Sequence, residues 1–210
     1  MKPVASGSDK MDGVLVNQDV QSLKRHVNVD LPDKVINPYI FEDPISPHFA
    51  AAKSGVAIDP ARISRAFNLC TEAADIVIVE GAGGWRVPLV GDFYISSLVQ
   101  KLNIPVVLVS GLKLGCINHT LLTAQAIQND GIELLAWAAN SIDPGYRNKA
   151  ETIELLRNGI KAPLIAEIDW QSGADPLLAA QAGGPSGPEI AAAGVDMSIF
   201  GLFEDTTGSR

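Results

Sequence analysis

Four apolar runs punctuate the chain, and none alternates cleanly with polar residues. Residues 76–79, 104–109 and 134–139 are nearly continuous in apolar side chains, and 163–168 is a weaker run of the same kind. A strand covered on both faces reads this way, whereas a strand with one wet face alternates. Between the runs the period becomes helical. Asp59-Pro60 supplies an N-cap and a first helical residue. Behind it Ile63, Phe67, Cys70 and Ala74 recur at helical spacing and mark one apolar face. Further helices are predicted over 92–102, over 115–129 with a stop near Gly131, and over 151–158 with a stop at Gly159. Strands that alternate with helices imply crossover connections and parallel pairing. The predicted fold class is therefore α/β, a doubly wound and mostly parallel sheet with helices on both faces.

Two regions break this rhythm. Residues 30–55 carry Pro32, Pro38, Pro44 and Pro47 and only short apolar pieces. They read as a long excursion beside the sheet, with one short helix near 48–53. Residues 171–210 are rich in Ala and Gly, and Arg210 is their only base. The expected organisation is one α/β domain over 1–170 and a flexible tail over 171–210.

Composition narrows the functional classes. A chain of 210 residues with 47% hydrophobic and 19% charged residues can bury a sizeable core. Its formal net charge of -8 argues against a nucleic-acid partner, which needs a basic surface. No apolar run is long enough to span a membrane, and Met1-Lys-Pro-Val-Ala-Ser6 has no apolar signal core. Cys70 and Cys116 lack metal-type spacing and suit a reducing cytoplasm.

The candidate chemistry sits where the apolar runs end. The 76–79 run delivers Glu80, which is followed by Gly81, Ala82, Gly83 and Gly84. Glycines let the backbone turn sharply and bring its N–H groups close to a ligand, so Glu80 reads as a carboxylate facing a metal or phosphate. The competing reading is an ordinary strand exit with a solvated Glu. Lys2 precedes a small, Ser- and Gly-rich segment through Ser6 and Ser8, which can aim an ammonium and hydroxyls at an anion. A solvated surface lysine reads the same way. Asp19 lies at a helix start, as a first-turn dipole partner or, if it faces Glu80, as a second Mg²⁺ ligand. Gly115, Cys116 and Asn118 open the 115–129 helix, where free backbone N–H groups hold a carboxylate or phosphate, or simply water. Cys116 and His119 have no third orienting group, so covalent catalysis is not indicated. Asn140 ends the 134–139 run and either reads a purine edge or caps a turn.

Several of these pieces recur together. Lys2-Pro-Val-Ala-Ser-Gly-Ser8, Asn37-Pro-Tyr39, Ser46-Pro-His48, Val79-Glu-Gly-Ala-Gly-Gly-Trp85 and Gly111-Leu-Lys-Leu-Gly-Cys-Ile-Asn-His-Thr-Leu-Leu-Thr123 resemble dethiobiotin synthetase in order and spacing, from Lys2 to about Trp170. That resemblance implies a P-loop NTPase-like fold and a reaction. 7,8-Diaminopelargonate, CO₂ (or bicarbonate) and ATP with Mg²⁺ give dethiobiotin through a carbamate and a carbamic–phosphoric anhydride. It also implies roles. Lys2 resembles the lysine that neutralises carbamate and γ-phosphate, and Ser6 a substrate-holding hydroxyl. Asp19 and Glu80 resemble the Mg²⁺ ligands, beside the phosphate-facing backbone of Gly81, Ala82 and Gly83. Gly115, Cys116 and Asn118 resemble the helix start that holds the substrate carboxylate across a homodimer interface. Asn140 resembles the adenine reader with Ser141 beside it, and Asp169, Trp170 and Gln171 fall in the last nucleotide-contacting loop.

The family's opening strand, phosphate loop and helix have no counterpart here, and the chain contains no Gly-Lys dipeptide. The first strand and P-loop are thus expected to be missing, with their backbone cradle and second lysine. On this expectation MgATP binds weakly. The alternative to an active enzyme is an inactive fragment, or a non-catalytic remnant that binds substrate or dimerises.

Overall fold

Short extended pieces organise the N-terminal half of the chain. The computed structural model describes residues 1–170 and divides the chain into two units, Met1–Ile104 and Pro105–Arg210. The expectations for residues 171–210, Gln171 included, fall outside the described residues.

In the first unit β1 (Val4–Ala5) pairs in parallel with β4 (Tyr39–Ile40), Val4 opposite Tyr39. Residues 76–80 hydrogen-bond beside the chain start but form no regular strand, although one was predicted over 76–79. The Met1 nitrogen donates to the Ile78 carbonyl at 2.6 Å, and the Glu80 amide donates to the Met1 carbonyl at 2.9 Å. The prediction of a strand buried on both faces fails here. Val77 and Val79 pack on the core, while Ile76 and Ile78 are 46% and 72% exposed. The pleat sends successive side chains to opposite faces, and only one face is covered.

A hairpin of β2 (Asp9–Met11) and β3 (Val14–Val16) follows β1. Asp12 (φ 50°) and Gly13 (φ 82°) are both left-handed, as a two-residue type I′ turn requires. The Asp-Gly dipeptide was its signal, and the apolar pattern alone did not reveal it. Next come α1 (Gln18–His26), α2 (Asp33–Ile36), and α3 (Pro47–Lys53), which matches the short helix expected at 48–53. α4 (Pro60–Ala73) starts as predicted, the Asp59 carboxylate accepting the Ala61 amide at 2.8 Å. The helix predicted over 92–102 starts later. Phe93–Tyr94 forms strand β6 against β5 (Pro88–Val90), and only then does α5 (Ile95–Leu102) begin. The aromatic pair favours a strand, and tertiary pairing overrides the helical period there. Val4, Tyr39, Phe41, Ile58, Ile63, Cys70, Leu89 and Leu98 share one buried cluster.

The second unit has the predicted alternation. β7 (Val106–Leu112), β8 (Leu134–Ser141) and β9 (Leu164–Ile168) pair in parallel in that order. α6 (Cys116–Asn129) links β7 to β8, and α7 (Lys149–Gly159) links β8 to β9. Central strand β8 buries Leu134 and residues 136–139, with Trp137 fully enclosed. β7, an outer strand of the three, does not meet the two-face prediction, since Val107 and Val109 are 37% and 57% exposed. α6 turns Cys116, Thr120, Ala124 and Ile127 inward, and the Ser110 and Thr120 hydroxyls meet at 2.7 Å.

Candidate active site

In the first unit the backbone around Lys2 is pinned on both sides. Its amide donates to the Ile36 carbonyl at 2.8 Å, and its carbonyl accepts from Asn37 Nδ2 at 2.6 Å. Asn37 Nδ2 also donates to the Tyr39 carbonyl at 2.9 Å. The Asn-Pro-Tyr motif is thus a clamp on the residue that carries the ammonium. Lys2 Nζ lies 2.8 Å from Asp19 Oδ2, 2.5 Å from Glu80 Oε1 and 3.3 Å from the Gly81 carbonyl. The ammonium donates hydrogen bonds to Glu80 Oε1 and to the Gly81 carbonyl, and the Asp19 carboxylate is its second ion-pair partner. Lys2 is only 5% exposed, so the solvated-lysine reading is wrong. The two carboxylate side chains remain 55% and 46% exposed.

Asp19 reaches this point through a cap that sequence reasoning did not credit with a functional role. Asn17 Oδ1 accepts the Val20 amide at 3.3 Å at the start of α1. Its Nδ2 donates to the Ser6 carbonyl at 3.3 Å and to Ser8 Oγ at 3.4 Å. One buried side chain therefore ties the Ser6–Ser8 segment to the helix that carries Asp19. The loop after Glu80 depends on its glycines. Gly83 has φ 83°, and a Cβ there would lie 2.9 Å from Val87 Cγ2. Gly81, Ala82 and Gly83 flank the Lys2–Asp19–Glu80 cluster, with Ala82 half-buried and both glycines exposed.

These residues fit a hard divalent cation. Two carboxylates converge on one positive charge, and their outer faces are open to solvent. Among the described residues no three His, Cys, Asp or Glu side chains gather. A Mg²⁺ ion here would take two protein oxygens and complete its octahedron with phosphate oxygens and water, as Mg²⁺ commonly does.

In the second unit Gly115 is left-handed (φ 90°) and opens α6. The expectation of a free Cys116 amide is not met, because that amide donates to the Lys113 carbonyl at 3.0 Å. The tight turn into the helix uses it, which leaves Ile117 and Asn118 as the first-turn amides. Cys116 is 3% exposed and His119 is exposed, so they form no nucleophile–base pair. Burial pushes the Cys70 thiol above its ordinary range, which disfavours the thiolate.

A cleft of about 290 Å³ opens at the carboxyl ends of β8 and β9, lined by Leu112, Ser141, Asp143, Pro144, Tyr146, Lys149, Asp169 and Trp170. Ser141, Asp169 and Trp170 were expected at one site, and they meet here. Asn140 sits on β8 between Gly111 and Ile168, half-buried, and does not line the cleft. Ser141 Oγ is buried and has no hydrogen-bond partner among the described residues. Sequence reasoning missed Tyr146 and Lys149. The Asp143-Pro-Gly145 turn after β8, closed by the Gly145 amide on Asp143 Oδ1 at 2.8 Å, was the available signal. Lys149 pairs with Asp169, and the Tyr146 hydroxyl meets Thr152 Oγ1 at 2.6 Å. A larger hollow of about 330 Å³, lined by Lys24, Val27, Asp30, Leu31 and their neighbours, contains none of the candidate residues.

Comparison with known proteins bears on both sets of residues. A family model described as an AAA domain matches residues 1–176. The ATP-dependent dethiobiotin synthetase of Aromatoleum aromaticum is 45% identical over 86% of this chain and 80% of its own. That of Aliivibrio fischeri is 47% identical over 80% of this chain and 75% of its own. Dethiobiotin synthetase 1 of Salmonella typhi is 45% identical over 85% and 78%. The family model's range takes in the Lys2 clamp, the Glu80 loop, the start of α6 and the β8–β9 cleft, and with relatives of this identity and coverage the chain belongs to the ATP-dependent dethiobiotin synthetase family.

Proposed function

We infer that this chain closes the ureido ring of dethiobiotin from 7,8-diaminopelargonate, CO₂ and ATP, a step of biotin synthesis. The observation that carries the reading is the convergence of Lys2, Asp19 and Glu80 beside the Gly81–Gly84 turn. One substrate amine adds to CO₂, losing a proton, to give a carbamate. A carbamate oxygen attacks the γ-phosphorus as the bond to ADP breaks. The second amine then attacks the carbonyl carbon and phosphate leaves. Such chemistry needs alignment and charge neutralisation more than covalent help.

Lys2 is the cation that meets the carbamate and the transferring phosphoryl group, and Ser6 holds the reacting end of the substrate. Asp19 and Glu80 hold Mg²⁺, which when bound offsets charge on the phosphates. Gly81, Ala82 and Gly83 let backbone approach those phosphates. The β8–β9 cleft seats the base, with Trp170 and the half-buried Ser141 against it and Asn140 at its strand. Gly115, Cys116 and Asn118 form the helix start for the substrate carboxylate, completed by a second copy in a homodimer. A cytoplasmic location agrees with two buried free cysteines and with the absence, among the described residues, of a helix long and apolar enough to cross a membrane.

The test is incubation of the purified chain with diaminopelargonate, MgATP and ¹⁴C-bicarbonate. Acid-stable label in dethiobiotin, one ADP per product, is the expected outcome. ADP release without label would sink the assignment.

A further inference from the structure

The cleft at the carboxyl ends of β8 and β9 holds an ion pair beside its indole. Lys149 Nζ donates to Asp169 Oδ1 across 20 positions of sequence, from the first residue of α7 to the residue after β9. The other polar groups of the cleft are committed or enclosed. The Tyr146 hydroxyl meets Thr152 Oγ1, Asp143 Oδ1 accepts the Gly145 amide, and Ser141 Oγ is buried. Asp169 differs from all three. Its side chain is 84% exposed, and Lys149 engages Oδ1, which leaves Oδ2 as an acceptor at the cleft. Asp169 is also the chain neighbour of Trp170, which lines the same cleft.

We propose that Lys149 and Asp169 form a bracket that reads the sugar of the nucleotide, so that the site takes ribonucleotides in preference to their deoxy analogues. This inference rests on the reading of the cleft as the base site. A base laid against Trp170 carries its ribose on one bond, so the sugar emerges beside the residue next to that indole. Ribose presents two vicinal O–H donors, and an ionised carboxylate is purely an acceptor. An acidic side chain on a ribose hydroxyl recurs in nucleotide-binding α/β folds. Lys149 contributes twice. It holds the carboxylate in one orientation, and it cancels the carboxylate's charge. The pair sums to zero, so Asp169 does not repel the triphosphate borne by the same sugar. Asp169 is therefore the group that touches substrate, and Lys149 is a positioning residue. Exposed ion pairs contribute little to folding, so substituting either partner leaves the fold in place.

The experiment is isothermal titration of the full chain with MgATP and with the magnesium complex of 2′,3′-dideoxyadenosine triphosphate. Both carry the same base and the same charge. The ratio of their dissociation constants therefore isolates the hydroxyl contact from any change in local charge. The unchanged protein is expected to bind MgATP about tenfold more tightly, as a hydrogen bond to a charged group allows. Asp169→Ala should bring the ratio close to unity. Lys149→Met should lower it, and Lys149→Arg, which keeps the ion pair, should restore it. A ratio of unity in the unchanged protein, or a ratio that survives in Asp169→Ala, overturns the bracket. A ratio that Lys149→Met leaves unaltered removes Lys149 from it. Trp170→Ala tells these failures from failure of the base site, because it should weaken both nucleotides whatever reads the sugar. If it weakens neither, or if neither nucleotide binds the unchanged protein, the base-cleft reading itself fails and the bracket fails with it.

Discussion

Lys2 is a residue whose surroundings decide its meaning. A lysine near a chain start is ordinarily wet, yet this one is 5% exposed and pairs with the carboxylates of Asp19 and Glu80. In the proposed reaction its charge is needed most when the carbamate and the γ-phosphoryl group share negative charge. Lys2→Ala should therefore lower kcat by roughly 10²–10³-fold, the range for losing one preorganised electrostatic donor. A steady-state assay checks this, with far-ultraviolet circular dichroism confirming the fold, and a change confined to KM would contradict it. Glu80 and its glycines were legible in the sequence because an apolar run followed by carboxylate and Gly is a local pattern. The Lys2–Glu80 ion pair was not, because the partners are 78 positions apart and only packing joins them.

At the scale of elements, caps and turns place the site. Asn17 closes α1 and holds the Ser6–Ser8 segment through the same side chain. Asn17→Ala should cost about 1 kcal/mol, the usual worth of an N-cap, read as a lower urea midpoint. Because the same change frees Asp19, the Mg²⁺ concentration for half-maximal activity should rise with it. A stability loss with unchanged Mg²⁺ dependence would make Asn17 a cap and nothing more. Gly83→Ala should be worse for the site than for the fold. Its left-handed φ costs about 1–2 kcal/mol for a side chain, and the new Cβ crowds Val87. KM for MgATP should rise by more than that stability loss accounts for, and isothermal titration with MgATP separates the two. The helices over 60–73 and 116–129 were legible from period and caps. The β2–β3 and β5–β6 hairpins were not, since strands of two or three residues carry too little periodicity to register.

At the scale of the whole molecule, each unit has its own buried side chains. Trp137 is fully enclosed on the central strand of the β7–β8–β9 sheet. Trp137→Ala should destabilise by about 3–5 kcal/mol in urea denaturation, as large-to-small core changes do. A loss below about 1 kcal/mol would mean that the site collapses around the smaller residue. The sequence by itself determined the α/β class, the order of the main helices, and the residue types at each strand exit, because local propensity and hydrophobic period act over a few positions. The motifs from Lys2 to Trp170 also pointed to the right family, since their order and spacing are sequence properties. Only the tertiary structure decided which faces are covered, that the Cys116 amide is already engaged, that Tyr146 and Lys149 join Ser141 and Trp170 around one cleft, and that Lys2 sits between two carboxylates. Those are consequences of which distant segments share space, and burial and charge pairing act between neighbours in space whatever their distance along the chain.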